Sequence, residues 1–315
     1  MTKIGFIFPG QGAQYVGMGK ALYEQYPLAQ QLFCEADEAL GFSLSTLCFE
    51  GPEEELKKTE ITQPAILTVS VIAWRLFADA GITPVMVAGL SLGEYSALVA
   101  ADALCFSDAV KLVHQRGRYM QEAVPLGQGG MAAILGLDRQ KLTDVCIQAS
   151  SIGVVAPANF NCPGQIVIAG SAAAVDEAVR LAQEAGARRA VKLPVSAPFH
   201  TSLLEPAGVR LAQDLKHTDL RSPKVPVLAN VTAKPHQTEP GAIAQSLVEQ
   251  VSHPVLWEDC VGAMLQAGID TFVELGPGQT LSAFVRKISR EVKVLNVEDP
   301  ETLTKTVEAL KGDAV

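Results

Sequence analysis

Residues 85–101 read VMVAGLSLGEYSALVAA: a short apolar run, a serine between glycines, and a helix-forming run. Val85 to Leu90 have the continuous apolar character of a strand buried on both faces. From Ser91 onward the pattern turns helical with no loop between. Gly89-Leu90-Ser91-Leu92-Gly93 fits GxSxG, and strand-turn-helix is the context in which that motif makes a nucleophile elbow. Small residues flank the serine because so tight a turn crowds its neighbours. The helix N-terminus and the N–H after the serine can then stabilise an oxyanion. A plain Gly-Ser turn is the competing reading of those five residues alone.

The same alternation extends on both sides. KIGFIF at 3–8 reads as a buried strand ending at Pro9-Gly10, and helical patterns follow at 17–40 and 62–80. Another helix covers 107–124 and stops at Pro125. Strand and helix in turn predict an α/β fold with a mostly parallel sheet. The middle has another rhythm. Strands at 130–135, 153–157, 165–169 and 188–193 interleave with helices at 138–150 and 171–185, and NFNCPG separates the second strand from the third. That order is βαββαβ, the ferredoxin-like pattern. Residues 126–198 therefore read as a small domain inserted into a large one made of 1–125 and 199–315. The α/β rhythm then resumes with VPVLAN at 225–230, helices at 241–251 and 255–267, TFVEL at 271–275 and a strand at 293–296.

Composition removes several function classes. The 315 residues are 48% hydrophobic and 19% charged, as in a globular enzyme and unlike a disordered chain. A net charge of −9 makes nucleic acid and anionic membrane poor partners. The six cysteines contain no CxxC pair and mostly sit in apolar runs, which predicts buried, reduced thiols. MTKIGFIFPGQG lacks a signal-peptide layout, and no stretch reads as long and apolar enough to span a bilayer. A cytoplasmic location is the expectation. No His, Cys, Asp or Glu cluster has metal-ligand spacing, and no cofactor is implied. Gly10-Gln11-Gly12-Ala13-Gln14 follows the first strand but fails both GxGxxG and the P-loop pattern. It reads as a turn, or as a presenter of backbone N–H groups to an oxyanion.

A serine nucleophile needs a base. Of five histidines, His217 and His236 lie in polar sequence and read as solvated, His114 lies beside the polar face of the 107–124 helix, and His253 precedes Pro254. His200 ends the stiff loop Pro194-Val195-Ser196-Ala197-Pro198-Phe199-His200, which favours it modestly. On the 107–124 helix Arg116 shares the apolar stripe of Ala109, Leu112, Val113, Met120 and Val124. A buried guanidinium must meet an anion or acceptors. It serves either a structural ion pair or, by its two-pronged match to carboxylate, a substrate acid.

Together these pieces resemble the malonyl-CoA:acyl carrier protein transacylases. FPGQGAQ at 8–14, ITQPA at 61–65, GLSLGEYSALVA at 89–100, NFNCPGQIVIAG at 159–170, PVSAPFH at 194–200, EQVSHPVLW at 249–257 and ELGPGQTL at 274–281 are similar to that family's motifs, in its order. The resemblance implies a hydrolase-like α/β domain carrying a ferredoxin-like insert. It implies malonyl transfer from malonyl-CoA to acyl carrier protein through a seryl ester on Ser91. His200 is then general base and acid, backbone N–H groups of Gln11 and Leu92 form the oxyanion hole, and Arg116 pairs with the malonyl carboxylate. The Gln250 backbone carbonyl orients His200, while Gln63 and Asn159 line the pocket. Phe199 leans towards malonyl over methylmalonyl. Leu90 is a departure, since many members have His before the nucleophile. A polyketide-pathway acyltransferase and a serine hydrolase or thioesterase are the alternatives.

Acyl carrier proteins are typically acidic, so an acidic transferase needs a local basic patch to meet one. Arg188, Arg189 and Lys192 are the first candidate, and Arg286, Lys287 and Arg290 the second. A solvated edge strand explains the first group equally well.

Overall fold

The apolar run near the start of the chain becomes the middle of a sheet. The computed structural model describes residues 2–195 and 197–312. Its strands are β1 (Ile4–Phe8), β2 (Met86–Gly89), β3 (Gly129–Leu135), β4 (Val155–Cys162), β5 (Gln165–Ser171), β6 (Arg189–Lys192), β7 (Val227–Leu228), β8 (Thr271–Leu275) and β9 (Lys293–Val297). One sheet runs β7-β2-β1-β8-β9, with every neighbouring pair parallel. Helices cover both faces, so β1 and β8 are buried almost without alternation. The second sheet is antiparallel, in the order β4-β5-β3-β6. Its helices Arg139–Ala149 and Ala172–Glu184 pack on one face, against Ala132, Ile134 and Ile168. Its other face turns towards the parallel sheet's C-terminal edge.

Two glycines let the chain turn sharply after β2. A Cβ on Gly89 would lie 1.9 Å from the Gly93 carbonyl carbon, and one on Gly93 would lie 2.1 Å from the Phe8 oxygen. The helix Gly93–Ala100 is thus pressed onto β1 as closely as backbone allows.

The helix Thr59–Ala78 is the centre of the main core, packed against the helix Phe106–Glu122. Burying Ile66, Leu67, Val69, Val71, Ile72 and Phe77 contributes on the order of 10 kcal/mol before conformational entropy is subtracted. Pro64 lies inside it and cannot donate to the Glu60 carbonyl one turn back. His114 Nδ1 takes that carbonyl at 2.8 Å, which gives this histidine a structural task. At 20 residues the helix is long and apolar enough to cross a membrane by length and composition. That corrects the expectation that no stretch would qualify, although the helix carries the polar Thr62, Gln63, Thr68 and Ser70. All four are buried inside the fold.

Other departures have local causes. The helix expected over 17–40 is two, Lys20–Gln25 and Pro27–Leu40, because the residue before a proline is pushed out of helical geometry, and Tyr26 is extended. Only Pro163-Gly164 of NFNCPG is a turn: β4 takes in NFNC as far as Cys162, with irregularities between Pro157 and Asn159 and between Phe160 and Cys162. Beyond the sheet, Phe160 N–H donates to Val255 O and Val255 N–H to Ala158 O, both at 2.9 Å. This outside partner keeps the strand extended where composition suggested a turn. Arg139 adds ion pairs to Glu258 at 3.2 Å and Asp259 at 2.8 Å. The six cysteines are free; Cys34 and Cys105 are exposed, contrary to uniform burial.

Candidate active site

Ser91 stands at the turn between β2 and the helix Gly93–Ala100 with φ of 54°, and His200 has φ of 62°. A non-glycine residue in the left-handed region costs about 1–3 kcal/mol. Both conformations therefore need support from their neighbours. The Ser91 N–H donates to Asn230 Oδ1 at 2.6 Å, and Asn230 Nδ2 donates to Gly89 O at 2.7 Å. One side chain thus bridges the elbow.

His200 Nε2 lies 2.8 Å from Ser91 Oγ, and its Nδ1 lies 2.8 Å from Gln250 O. A carbonyl only accepts, so Nδ1 carries the hydrogen and Nε2 faces the serine as acceptor. Burial, reinforced by the Arg116 charge, pulls the His200 pKa from 6.5 to about 3. The imidazole is neutral at physiological pH, as a base must be.

Arg116 is 1% exposed. Its NH1 donates to Gln63 Oε1 at 2.8 Å, and its NH2 to Gln250 Oε1 at 2.8 Å and Ser91 Oγ at 3.1 Å. Its Nε finds no acceptor among the described residues. No carboxylate lies within ion-pair distance of it among the described residues, so the structural ion pair weighed above is not formed. The guanidinium instead rests beside the Tyr95 ring, 5.3 Å from its centroid. Burial lowers its pKa.

These groups open on a cavity of about 270 Å³. Gln11, Gln63, Leu92, Phe199 and Asn159 all line it, as do Leu90 and Met120. The backbone N–H groups of Gln11 and Leu92 have no protein acceptor among the described residues. The small sheet closes the other side with Met131, Ala133 and Val167. Helix Thr280–Ile288 supplies Leu281 and Phe284, and its first N–H groups donate to buried Glu274 at 3.1 and 2.7 Å. Burial pushes the Glu274 carboxyl up to about 7.

The basic candidates do not share a direction. Arg189 pairs in register with Leu135, and Lys192 with Ala132, so the two lie on opposite faces of β6. Ala132 belongs to the helix-covered face, and Lys192 is paired there with Asp176. Arg188 and Arg189 are exposed. Lys287 donates to Gln165 Oε1 at 3.0 Å, and Gln165 lines the cavity.

The polar group beneath the site, Glu94, Asn230 and His236, was not foreseen, nor were Asn161 and Gln165 on the cavity wall. His236 is buried and hydrogen-bonded to Glu94 at 2.8 Å, so its reading as a solvated residue is corrected. Asn230 had a signal in its place at the C-terminal end of the predicted strand VPVLAN, where ligand sites of α/β folds gather. Among the described residues no three His, Cys, Asp or Glu side chains are grouped to hold a metal.

Residues 5–307 match the acyl transferase domain family. The chain is also 50% identical over 314 residues to the malonyl CoA-acyl carrier protein transacylase of Bacillus subtilis (strain 168), covering 99% of each chain. The chain belongs to the malonyl CoA-acyl carrier protein transacylase family. Among solved structures, the transacylase of Coxiella burnetii superposes with a TM-score of 0.96 at 41% identity, covering 98% of both chains. A malonyl-transacylase in complex with its type II polyketide acyl-carrier protein gives the same TM-score and identity, covering 98% of this chain and 100% of that one. Leu90, half-buried beside the nucleophile, packs against the core cluster that holds Trp257 and Phe272.

Proposed function

We propose that this protein moves a malonyl group from malonyl-CoA to the phosphopantetheine thiol of acyl carrier protein, supplying fatty acid synthesis. His200 Nε2 takes the Ser91 hydroxyl proton as Oγ attacks the thioester carbonyl. The oxyanion that forms sits against the Gln11 and Leu92 N–H groups. The C–S bond then breaks, and the CoA sulfur leaves with the proton held by His200. In the second half the carrier thiol gives its proton to His200 and attacks the seryl ester. Ser91 Oγ leaves and recovers that proton. The Gln250 carbonyl holds the imidazole throughout, so no acidic third member is required. No cofactor takes part.

The observation that carries this reading is Arg116: a buried guanidinium, 3.1 Å from Ser91 Oγ, with no carboxylate within ion-pair distance among the described residues. A malonyl group on Ser91 would supply one. A hydrolase of neutral acyl groups gains nothing from such a cation, and pays to bury it. Gln63 and Asn159 complete the pocket, and Phe199 narrows it against a methyl branch. Transfer to a carrier of polyketide synthesis is the second reading, because one solved neighbour holds such a carrier.

The fold supports a matching division: a hydrolase-like large domain of 1–125 and 199–315, and a ferredoxin-like insert of 126–198. The order β4-β5-β3-β6 has the strand arrangement of that motif. Six free thiols suit a cytoplasmic enzyme. Incubation with malonyl-, methylmalonyl- and acetyl-CoA, followed by intact mass and peptide mapping, tests the proposal. A malonyl adduct on Ser91 that carrier protein discharges is the expected result. An adduct elsewhere, or discharge only to water, would overturn it.

A further inference from the structure

Beneath the elbow lies a buried carboxylate that the reaction just described does not use. Glu94 sits one turn past Ser91 on the helix Gly93–Ala100 and is fully buried. Three donors converge on it, two from the turn after β7 and one from the helix Pro240–Ser252. Its Oε1 accepts from His236 Nε2 at 2.8 Å; its Oε2 accepts from Asn230 N–H at 2.9 Å and from Gln250 Nε2 at 2.8 Å. Burying a carboxylate is costly unless it is compensated as fully as this. Nothing in the packing of the helix alone demands it.

Two of these donors lead back to a reacting group. Asn230 bridges the elbow through its side chain. Gln250 is connected twice: its backbone carbonyl holds His200, and its side-chain amide touches Arg116. That amide has two hydrogens and one oxygen to place. Its Nε2 donates to Glu94 Oε2 and to Ser91 O, the latter at 2.9 Å, which leaves Oε1 for Arg116. Turned over, the amide would aim N–H groups at the guanidinium and its oxygen at the carboxylate. Both contacts would be repulsive in a buried site where such forces are strong.

We propose that Glu94, backed by His236, is a positioning residue for acyl transfer. It fixes the polarity of the Gln250 amide, and so gives Arg116 the acceptor that aims it. Its bond to the Asn230 N–H steadies the elbow at the same time. This rests on the malonyl-transfer reading above, and adds a side-chain task to a glutamine used there only through its backbone. Without the carboxylate the amide N–H groups keep only the Ser91 carbonyl as acceptor, and Arg116 is held less firmly in register with the incoming acid. A neutral acyl group does not depend on that register. The loss therefore falls chiefly on malonyl.

The test measures the rate of Ser91 acylation by malonyl-CoA and by acetyl-CoA, with folding checked by circular dichroism. Glu94→Ala should lower malonyl acylation roughly a hundredfold, the scale of a small misplacement of a reacting group. The malonyl-to-acetyl ratio should fall roughly tenfold. Glu94→Gln should recover most of the ratio, because its oxygen can serve Gln250 and Asn230 while its NH2 turns to His236. Gln250→Met keeps the backbone carbonyl and removes the amide, and should lower the ratio by a similar factor. Adding Glu94→Ala to Gln250→Met should then change the ratio by less than about twofold. Equal losses for both donors in folded Glu94→Ala would show a purely structural carboxylate and overturn the proposal. If Glu94→Ala does not fold, Gln250→Met decides alone, and an unchanged ratio there is fatal. A wild-type protein that takes up no malonyl group would instead defeat the functional reading itself.

Discussion

The two sheets face each other across one cavity and contribute to it in opposite ways. The parallel sheet brings groups that are almost wholly spoken for. Ser91, His200 and Arg116 each have named partners within 3.1 Å, and two of the three sit at positive φ. The antiparallel sheet brings a face of Met131, Ala133 and Val167, with Asn159 and Gln165 among them. Its cavity face carries no network comparable to that around Arg116, and Arg188 and Arg189 at its edge are exposed. Chemistry is thus fixed where hydrogen bonds over-determine the backbone. Shape and encounter are left to a sheet face that lines the cavity with separate side chains. Changes on the first side should damage every acyl donor or strike the acid group; changes on the second should separate the two half-reactions.

The largest effect belongs to the reacting pair. Ser91→Ala should abolish the adduct from every donor, and His200→Ala should slow acylation by several orders of magnitude for malonyl and acetyl alike. Rapid-quench mass spectrometry checks both, and a surviving covalent malonyl group in Ser91→Ala would end the assignment. Next comes Arg116→Ala. It removes one partner of a buried charge pair, a loss of about 3–5 kcal/mol for malonyl. Acetyl transfer should fall far less, so equal falls would make Arg116 structural.

How much of this could be read in the chain depended on sequence distance. Ser91 was legible because its strand, turn and helix are contiguous. Arg116 was legible as an inward charge from helical spacing alone, but its purpose needed the family resemblance. His200 stood out only modestly until then. The support beneath them was not legible, since Glu94 meets Asn230, His236 and Gln250 across separations of 136 to 156 residues. His236 in particular lies in a polar turn whose composition says solvent, and only the fold carries it inside. The same limit explains β4, which stays extended because Val255 pairs with it from far along the chain.

A smaller effect concerns pH. Protonated His200 cannot accept the serine proton, so activity is lost as pH falls through its pKa. With that pKa drawn from 6.5 to about 3, the kcat/KM for Ser91 acylation should hold through the usual histidine range and decline only in strong acid. In Arg116→Ala, followed with acetyl-CoA, the acid limb should move upward because one of the two depressing influences is gone. A wild-type limb near 6.5 would show that the imidazole is more solvated than the geometry implies.

The smallest effect lies at the edge of the second sheet. Arg189→Glu should slow discharge to carrier protein a few-fold, more at low salt, through the encounter rate. Lys192→Glu should do less, because Lys192 faces Asp176 on the helical side. Ser91 acylation by malonyl-CoA should change less in both. Discharge rates across a salt series decide it, and an unaffected Arg189→Glu would move attention to Lys287 beside Gln165.

The stitch between β4 and Val255 bears on engineering. Those two backbone bonds, with Arg139 clasping Glu258 and Asp259, tie the middle segment to a stretch only a few residues beyond Gln250. A segment grafted in from a relative would dock against that stretch rather than merely hang from its two ends. Chimeras cut near 125 and 199 should therefore work best when 253–259 travels with the graft. Without it, a change of specificity would arrive together with a disturbed base.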